Sequence, residues 1–347
     1  MCPRVLPSSI RPKFMNVFEL TRALVDVESI TDNEEQIGHV LFAHLSELAS
    51  RFSGRAELMP VEPRRNNVLA YWGEPTVTLS THMDTVPPFF ASREDDQHIW
   101  GRGACDTKGI IAAMIFAVRE LLEAGQRNIA LLFVVDEERN SAGAKAAAKH
   151  SRGSKFIING EPTENKLALG SKGALRLEVI ASGRMAHSAY PELGESAIEK
   201  LLDALQEIRR LRLPVDDILG PSTLNIGTIA GGRARNIIPD HAQAEVFIRL
   251  VDDGDSTRAQ IRQAAGDKAE VREVGATAAV HLGSLPGFAT TTVSFTTDIP
   301  GFGGSWGQPY LIGPGSIHVA HTAEERIPKG EILDAIQIYK RLVKQLL

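Results

Sequence analysis

Three apolar runs constrain this chain most: "TVTLSTHM" from Thr76, "IALLFVV" from Ile129 and "KFIIN" from Lys155. They read as near-continuous apolar strands, the kind that is covered on both faces. Helical patterns separate them, a long one from about Thr107 to Ala124 stopped by Gly125 and a short Ala-rich one near residues 141 to 150. Apolar strands alternating with helices predict an α/β fold built on a mostly parallel sheet.

The three runs end alike. The first leads into His82 and Asp84, the second into Asp136, Glu137 and Glu138, and the third into Glu161. His82 and Asp84, two apart at a strand end, are expected to share a face. Ligands of open α/β sheets bind beyond the carboxyl ends of the strands. "GRGACDTKG" places Asp106 at the same edge, in the loop before the long helix.

Asp84, Asp106, Glu137, Glu138 and Glu161 gathered around one imidazole would repel strongly in a partly buried site. A cation resolves that conflict. Carboxylate and imidazole donors suit zinc, and one bridging carboxylate with two further ligands per ion suits a pair of metal ions. Such a pair calls for another histidine, and "GPGSIHVAHTAEE" offers both His318 and His321.

Two helices open the chain. "MNVFELTRALVDV" sets Val17, Leu20, Leu24 and Val27 on one face, and in "TDNEEQIGHVLFAHLSEL" Thr31 and Glu34 have capping-box spacing ahead of an apolar stripe. Residues 1–14 lack the apolar core of a secretory signal and predict a disordered extension.

From about Ser171 the style changes. "GALRLEVIASG", "ESAIEKLLDALQEIRRL", "STLNIGTIAGG", "AQAEVFIRLV", "DSTRAQIRQAA" and "AEVREVGA" follow the order β-α-β-β-α-β of a ferredoxin-like split unit. "QPYLIGPGS" and a terminal helix "KGEILDAIQIYKRLVKQLL" then return to the first style. An inserted domain over residues 171–284 is expected, flanked by 1–170 and 285–347 of a discontinuous larger domain.

A net charge of -5 without a basic cluster argues against nucleic acid and anionic membranes as partners. No apolar run approaches the ~18 residues that span a bilayer. Only Cys2 and Cys105 occur, which argues against a disulfide framework and fits a cytoplasmic location. The glycines of "GRGACDTKG" do not fit a dinucleotide or phosphate loop. Cys105 lacks an activating partner in the pattern and reads as a small buried thiol.

"THMDTVP", "GRGACDTKG", "VVDEERNSAGA", "NGEPT", "GRMAHSAYP", "GGRARNIIPD" and "GPGSIHVAHTAEERI" together resemble successive signatures of one family. It is the dinuclear zinc amidohydrolase family of acetylornithine deacetylase, succinyl-diaminopimelate desuccinylase, aminoacylase and carboxypeptidase G, and the match runs in order from Thr81 to Ile327. The resemblance implies a parallel-sheet zinc-hydrolase catalytic domain with an inserted ferredoxin-like α+β domain that dimerises and acts as a lid. It implies two Zn2+ per chain, with Co2+ or Mn2+ as substitutes.

By the same resemblance, His82 and Glu161 are similar to ligands of one ion, Glu138 and His321 to ligands of the other, and Asp106 to the bridging carboxylate. His321 is chosen over His318 because it precedes "TAEE" as in the family pattern. Asp84 is similar to the aspartate that orients the ligand histidine. Glu137 is similar to the general base that takes a proton from the attacking water and hands it to the leaving amine. His187 resembles the histidine that stabilises the oxyanion, and Asn236 and Arg249 resemble substrate contacts, Arg249 toward a free carboxylate.

The compact length points first to removal of an acyl group from a small N-acyl-amino acid, as in acetylornithine deacetylase. The alternative is a dipeptidase or carboxypeptidase, and a non-catalytic amino-acid- or peptide-binding relative is a third reading. The stretch between "LPGF" and "GPGS" is shorter and richer in Thr and Gly than the helical segment the family leads one to expect.

Overall fold

The computed structural model describes residues 15–347; the extension expected over 1–14 lies outside the described residues. The chain divides into two compact units. One comprises the residues up to Ala168 with Leu282–Thr291 and Thr297–Leu347, the other Leu169–His281 with Thr292–Thr296. The expected boundaries near 170 and 285 shift by a few residues, and the return to the first unit is interrupted. Residues 292–296 stay with the second unit because Lys172 N donates to Val293 O at 3.1 Å and Ser171 Oγ to Phe295 O at 2.6 Å.

The first unit is built on a six-stranded sheet in the order Arg55–Glu62, Arg65–Trp72, Ile129–Val134, Val77–His82, Phe156–Asn159, Gln308–Leu311. The last four run parallel. The first two form an antiparallel hairpin that the apolar runs did not reveal. Strand Ile129–Val134 is buried throughout. Leu131 and Phe133 pack into a core with the helices Val17–Val25, Glu35–Arg51, Gly109–Glu123 and Lys329–Leu346, while Ala130, Leu132 and Val134 join Ala144, Ala147, Phe302 and Trp306 on the other side. A period-2 strand thus places apolar side chains on both faces.

Local chemistry sets the helix ends. Asn16 caps the first helix, its side chain accepting from the amides of Phe18 and Glu19 at 2.9 and 3.0 Å while Glu19 reaches back to the Asn16 amide at 2.8 Å. Val27 falls beyond this helix. The second helix begins at Glu35, and the box expected of Thr31 and Glu34 does not form. The long helix begins at Gly109 instead of Thr107, because Asp106 (φ -124°, ψ 80°) and Thr107 (φ -136°, ψ 24°) are non-helical. Glycine suits that start, since a Cβ at position 109 would lie 2.6 Å from Ala104 O.

The Thr- and Gly-rich stretch before "GPGS" folds as a strand, Thr290–Val293, a short helical turn, Ile299–Phe302, and the sheet strand Gln308–Leu311. Phe302 and Trp306 are buried, and Trp306 Nε1 donates to Ala147 O at 3.0 Å.

The second unit is a four-stranded antiparallel sheet in the order Thr223–Gly231, His241–Leu250, Gly173–Ser182, Glu270–Thr277. Strand order 2-3-1-4 with two helices, Ala197–Arg209 and Asp255–Ala265, is the ferredoxin-like arrangement. Alternate residues Ala242, Ala244, Val246, Ile248 and Leu250 are buried with Leu201, Leu205, Ile208 and Ile261 of the helices. Among the described residues no helix is long and apolar enough to cross a membrane.

Candidate metal centre

The carboxyl ends of the parallel strands bring His82, Asp106, Glu138 and His321 together. His82 Nε2 lies 3.0 Å from Asp106 Oδ1, and the other Asp106 oxygen lies 3.3 Å from His321 Nε2. His321 Nε2 also meets Glu138 Oε1 at 3.0 Å. His82, Asp106 and Glu138 each offer a ligand atom within 4.8 Å of the others. His318, the other candidate, is exposed and stands outside this group. His321 holds a left-handed backbone, φ 63°. For a non-glycine residue that conformation is strained and marks a site the surrounding structure over-determines.

Glu161 follows strand Phe156–Asn159. Gly160 N donates to Ser80 O at 2.8 Å and Thr81 Oγ1 to Gly160 O at 2.7 Å, which ties its segment to the His82 strand. Glu161 is buried and its Oε1 has no hydrogen-bond partner among the described residues.

Asp84 holds more than an imidazole. The nearest Asp84 atom to His82 Nδ1 is the backbone carbonyl, at 3.0 Å, with the carboxylate at 3.4 Å. That carboxylate also accepts the amides of Glu137 and Glu138 at 3.1 and 3.2 Å and the Thr31 hydroxyl at 2.9 Å. The Glu137–Glu138 loop is fixed a second way through Asp136. Buried Arg65 donates to Asp136 Oδ1 at 2.9 Å and to both oxygens of Glu34 at 2.8 and 2.6 Å. The Asp136 carbonyl in turn accepts from Asn140 and Ser141. Thr31, Glu34 and Arg65 were not singled out as site residues from the sequence.

The charges do not balance internally. Burial pushes the carboxyls of Glu137, Glu138 and Glu161 up, and neighbouring acids add to it. Burial would lower the His82 imidazole, but its bonds to Asp106 and Asp84 outweigh that and raise it. Asp106 and Glu138 push His321 up to about 10. Two imidazoles face more carboxylates than they can neutralise, and a Glu161 oxygen points at no donor. The donor set and its excess negative charge therefore fit divalent cations.

In the second unit, His187 and Asn236 lie side by side. His187 pairs with Ile237 in a short antiparallel bridge, and Ser188 N donates to Asn236 O at 3.1 Å. Both are exposed. Arg249 sits half-buried on its strand with its guanidinium 4.7 Å from the Phe247 ring centroid, and no acidic side chain pairs with it among the described residues.

The fold and centre define a class: an α/β protein with a candidate cation-binding cluster at its strand ends, interrupted by a ferredoxin-like unit. The chain belongs to peptidase family M20/M25/M40, whose description matches residues 78–345. It is 38% identical over 349 residues to a peptidase M20 domain-containing protein of Schizosaccharomyces pombe, covering 96% of this chain and 86% of the relative. A probable carboxypeptidase of Aspergillus niger is 37% identical over 367 residues, covering 93% and 88%. The structure of an M20 family metallo-carboxypeptidase from Sulfolobus solfataricus shares the fold with a TM-score of 0.76 at 17% identity, over 96% of this chain and 99% of that one.

Proposed function

We propose that this chain is a metal-dependent carboxypeptidase or dipeptidase that hydrolyses the bond before a free α-carboxylate in a short peptide. The observation that carries this is the cluster of His82, Asp106, Glu138 and His321 with half-buried Glu137 held beside it. The probable carboxypeptidase among its relatives favours peptides over the acetylornithine-type substrates that chain length suggested.

His82 and Glu161 would hold one ion and Glu138 and His321 the other, with Asp106 between them. When bound, two zinc ions, or cobalt or manganese in their place, would polarise the scissile carbonyl and acidify the attacking water. Glu137 would accept a proton from that water and deliver it to the leaving nitrogen. Its burial and acidic neighbours raise its proton affinity, which suits a base that must later act as an acid. Asp84 would keep Glu137 and Glu138 at fixed spacing through their amides.

His187 would donate to the developing oxyanion. Asn236 would contact the substrate and Arg249, which has no acidic partner among the described residues, would pair with its carboxylate. A homodimer through the second unit is part of this reading. Its support is the edge strand Thr223–Gly231 with exposed Ile229, beside a hollow of about 330 Å³ lined by Ile208, Arg209, Leu211, Leu213, Leu224, Asn225 and Ile226.

The test is a panel of dipeptides, N-blocked dipeptides, N-acetyl- and N-succinyl-amino acids, assayed with defined metal. Preference for peptides by tenfold or more in kcat/KM supports the reading. Preference for the acyl-amino acids overturns the substrate class.

A further inference from the structure

Glu325 is 1% exposed and faces the loop that carries Asp106. Its Oε1 accepts the backbone amides of Gly103 at 2.9 Å and Asp106 at 3.3 Å, while its Oε2 accepts from buried Arg102 Nη1 at 2.5 Å. Its own carbonyl accepts the Gly101 amide at 3.1 Å. The loop it grips is tight: Gly103 has φ 83°, and a Cβ there would meet Thr85 Cγ2 at 2.7 Å.

Four residues before Glu325 stands His321, whose Nε2 meets the Asp106 carboxylate at 3.3 Å. One short segment, from His321 to Glu325, therefore holds both the backbone amide and the side chain of Asp106. The acceptor role and the ion pair with Arg102 are separable. Arg102 keeps other contacts, donating from Nε to Pro88 O at 3.2 Å and lying 5.0 Å from the Phe90 ring centroid.

We propose that Glu325 is a positioning residue: by accepting the Gly103 and Asp106 amides it sets Asp106 between His82 and His321, and with it the spacing on which cation binding in this centre depends. The proposal rests on the metal-centre reading above. Without the acceptor, two buried amides lose their partner and the loop relaxes toward one, carrying Asp106 out of register. Partners of this kind typically change metal affinity ~10- to 100-fold.

The experiment compares two double variants that both remove the buried charge pair. R102M/E325Q keeps a carbonyl oxygen for the amides, and R102M/E325L does not. Zinc affinity by competition with a chromophoric chelator and the visible spectrum of the Co2+-loaded protein are read beside wild type, with circular dichroism to confirm folding. The expected result is near-wild-type affinity and spectrum for the glutamine pair, with at least tenfold weaker binding of one ion and an altered spectrum for the leucine pair. Equal affinities in the two overturn the proposal. E325D, which keeps the charge but shortens the reach, covers the case in which the leucine pair does not fold: tenfold weaker zinc supports the proposal and wild-type affinity overturns it. A wild-type chain that takes up no zinc or cobalt overturns the metal-centre reading itself, and this proposal with it.

Discussion

The Oδ2 atom of Asp84 accepts the backbone amide of Glu138 at 3.2 Å, and its Oδ1 accepts that of Glu137 at 3.1 Å. A residue two positions from His82 thus acts mainly on a different loop, fixing both the candidate base and a candidate ligand. Asp84→Asn replaces one acceptor oxygen with an NH2 group that faces an amide N–H. We expect ~10- to 100-fold weaker metal binding, with the fold retained. Zinc titration and circular dichroism check this; unchanged affinity would remove Asp84 from the account.

Glu137 accepts the proton in the proposed reaction and holds no ion. Glu137→Gln is therefore expected to retain its metal while kcat falls by about 10²- to 10⁴-fold. KM should change little. Metal analysis and steady-state kinetics on the same preparation test both halves, and a variant with near-wild-type kcat contradicts the assignment of the base.

Much of the centre was legible because its parts are local. Strand Ile129–Val134 is apolar at every position and its acids follow at once, so both strand and strand end could be read from one short stretch. The hairpin Arg55–Trp72 escaped notice because its buried polar residues depend on distant partners. Arg65 is satisfied by Glu34 and Asp136, and Asn67 by Gly143 O and Val135 N. Thr31 and Glu34 have capping-box spacing, yet Asp84 and Arg65 claim their side chains from 53 and 31 residues away. Glu325 looks like one more charge in "TAEE" until the fold brings the Asp106 loop to it.

Asp298 gives a pH-dependent prediction. It is fully buried, and neither carboxylate oxygen has a hydrogen bond of good geometry among the described residues. Burial pushes it up to about 7 from 3.8, against weaker opposing pulls from His82 and the Ser141 hydroxyl. The folded chain thus holds a proton that the unfolded chain releases in that window. Its stability contribution is complete below about pH 4 and lost as pH rises through 7, at most about 1.4 kcal/mol per pH unit. In chelator-treated protein, Asp298→Asn should lose less Tm between pH 5 and pH 8 than wild type. Parallel losses in the two proteins would contradict the buried, raised carboxyl of Asp298.

Strand Thr223–Gly231 leaves one edge of its sheet unpaired among the described residues, and Ile229 on it is 56% exposed. A charge on such an edge blocks strand or apolar association. Ile229→Lys is expected to shift the protein from two chains per particle to one by light scattering, without loss of helix or strand signal. A wild-type protein that is monomeric at micromolar concentration contradicts the proposed dimer.

The central claim is tested most directly by mass-spectrometric identification of the bond cut in a free dipeptide and in its N-blocked form, each with a free carboxylate, before chelation, after it, and after zinc is returned. The account predicts release of the C-terminal amino acid, its loss on chelation and its recovery with about two zinc ions per chain. Cleavage that continues unchanged in the chelated protein, or no release of the C-terminal residue from either substrate by the zinc-loaded protein, would contradict it.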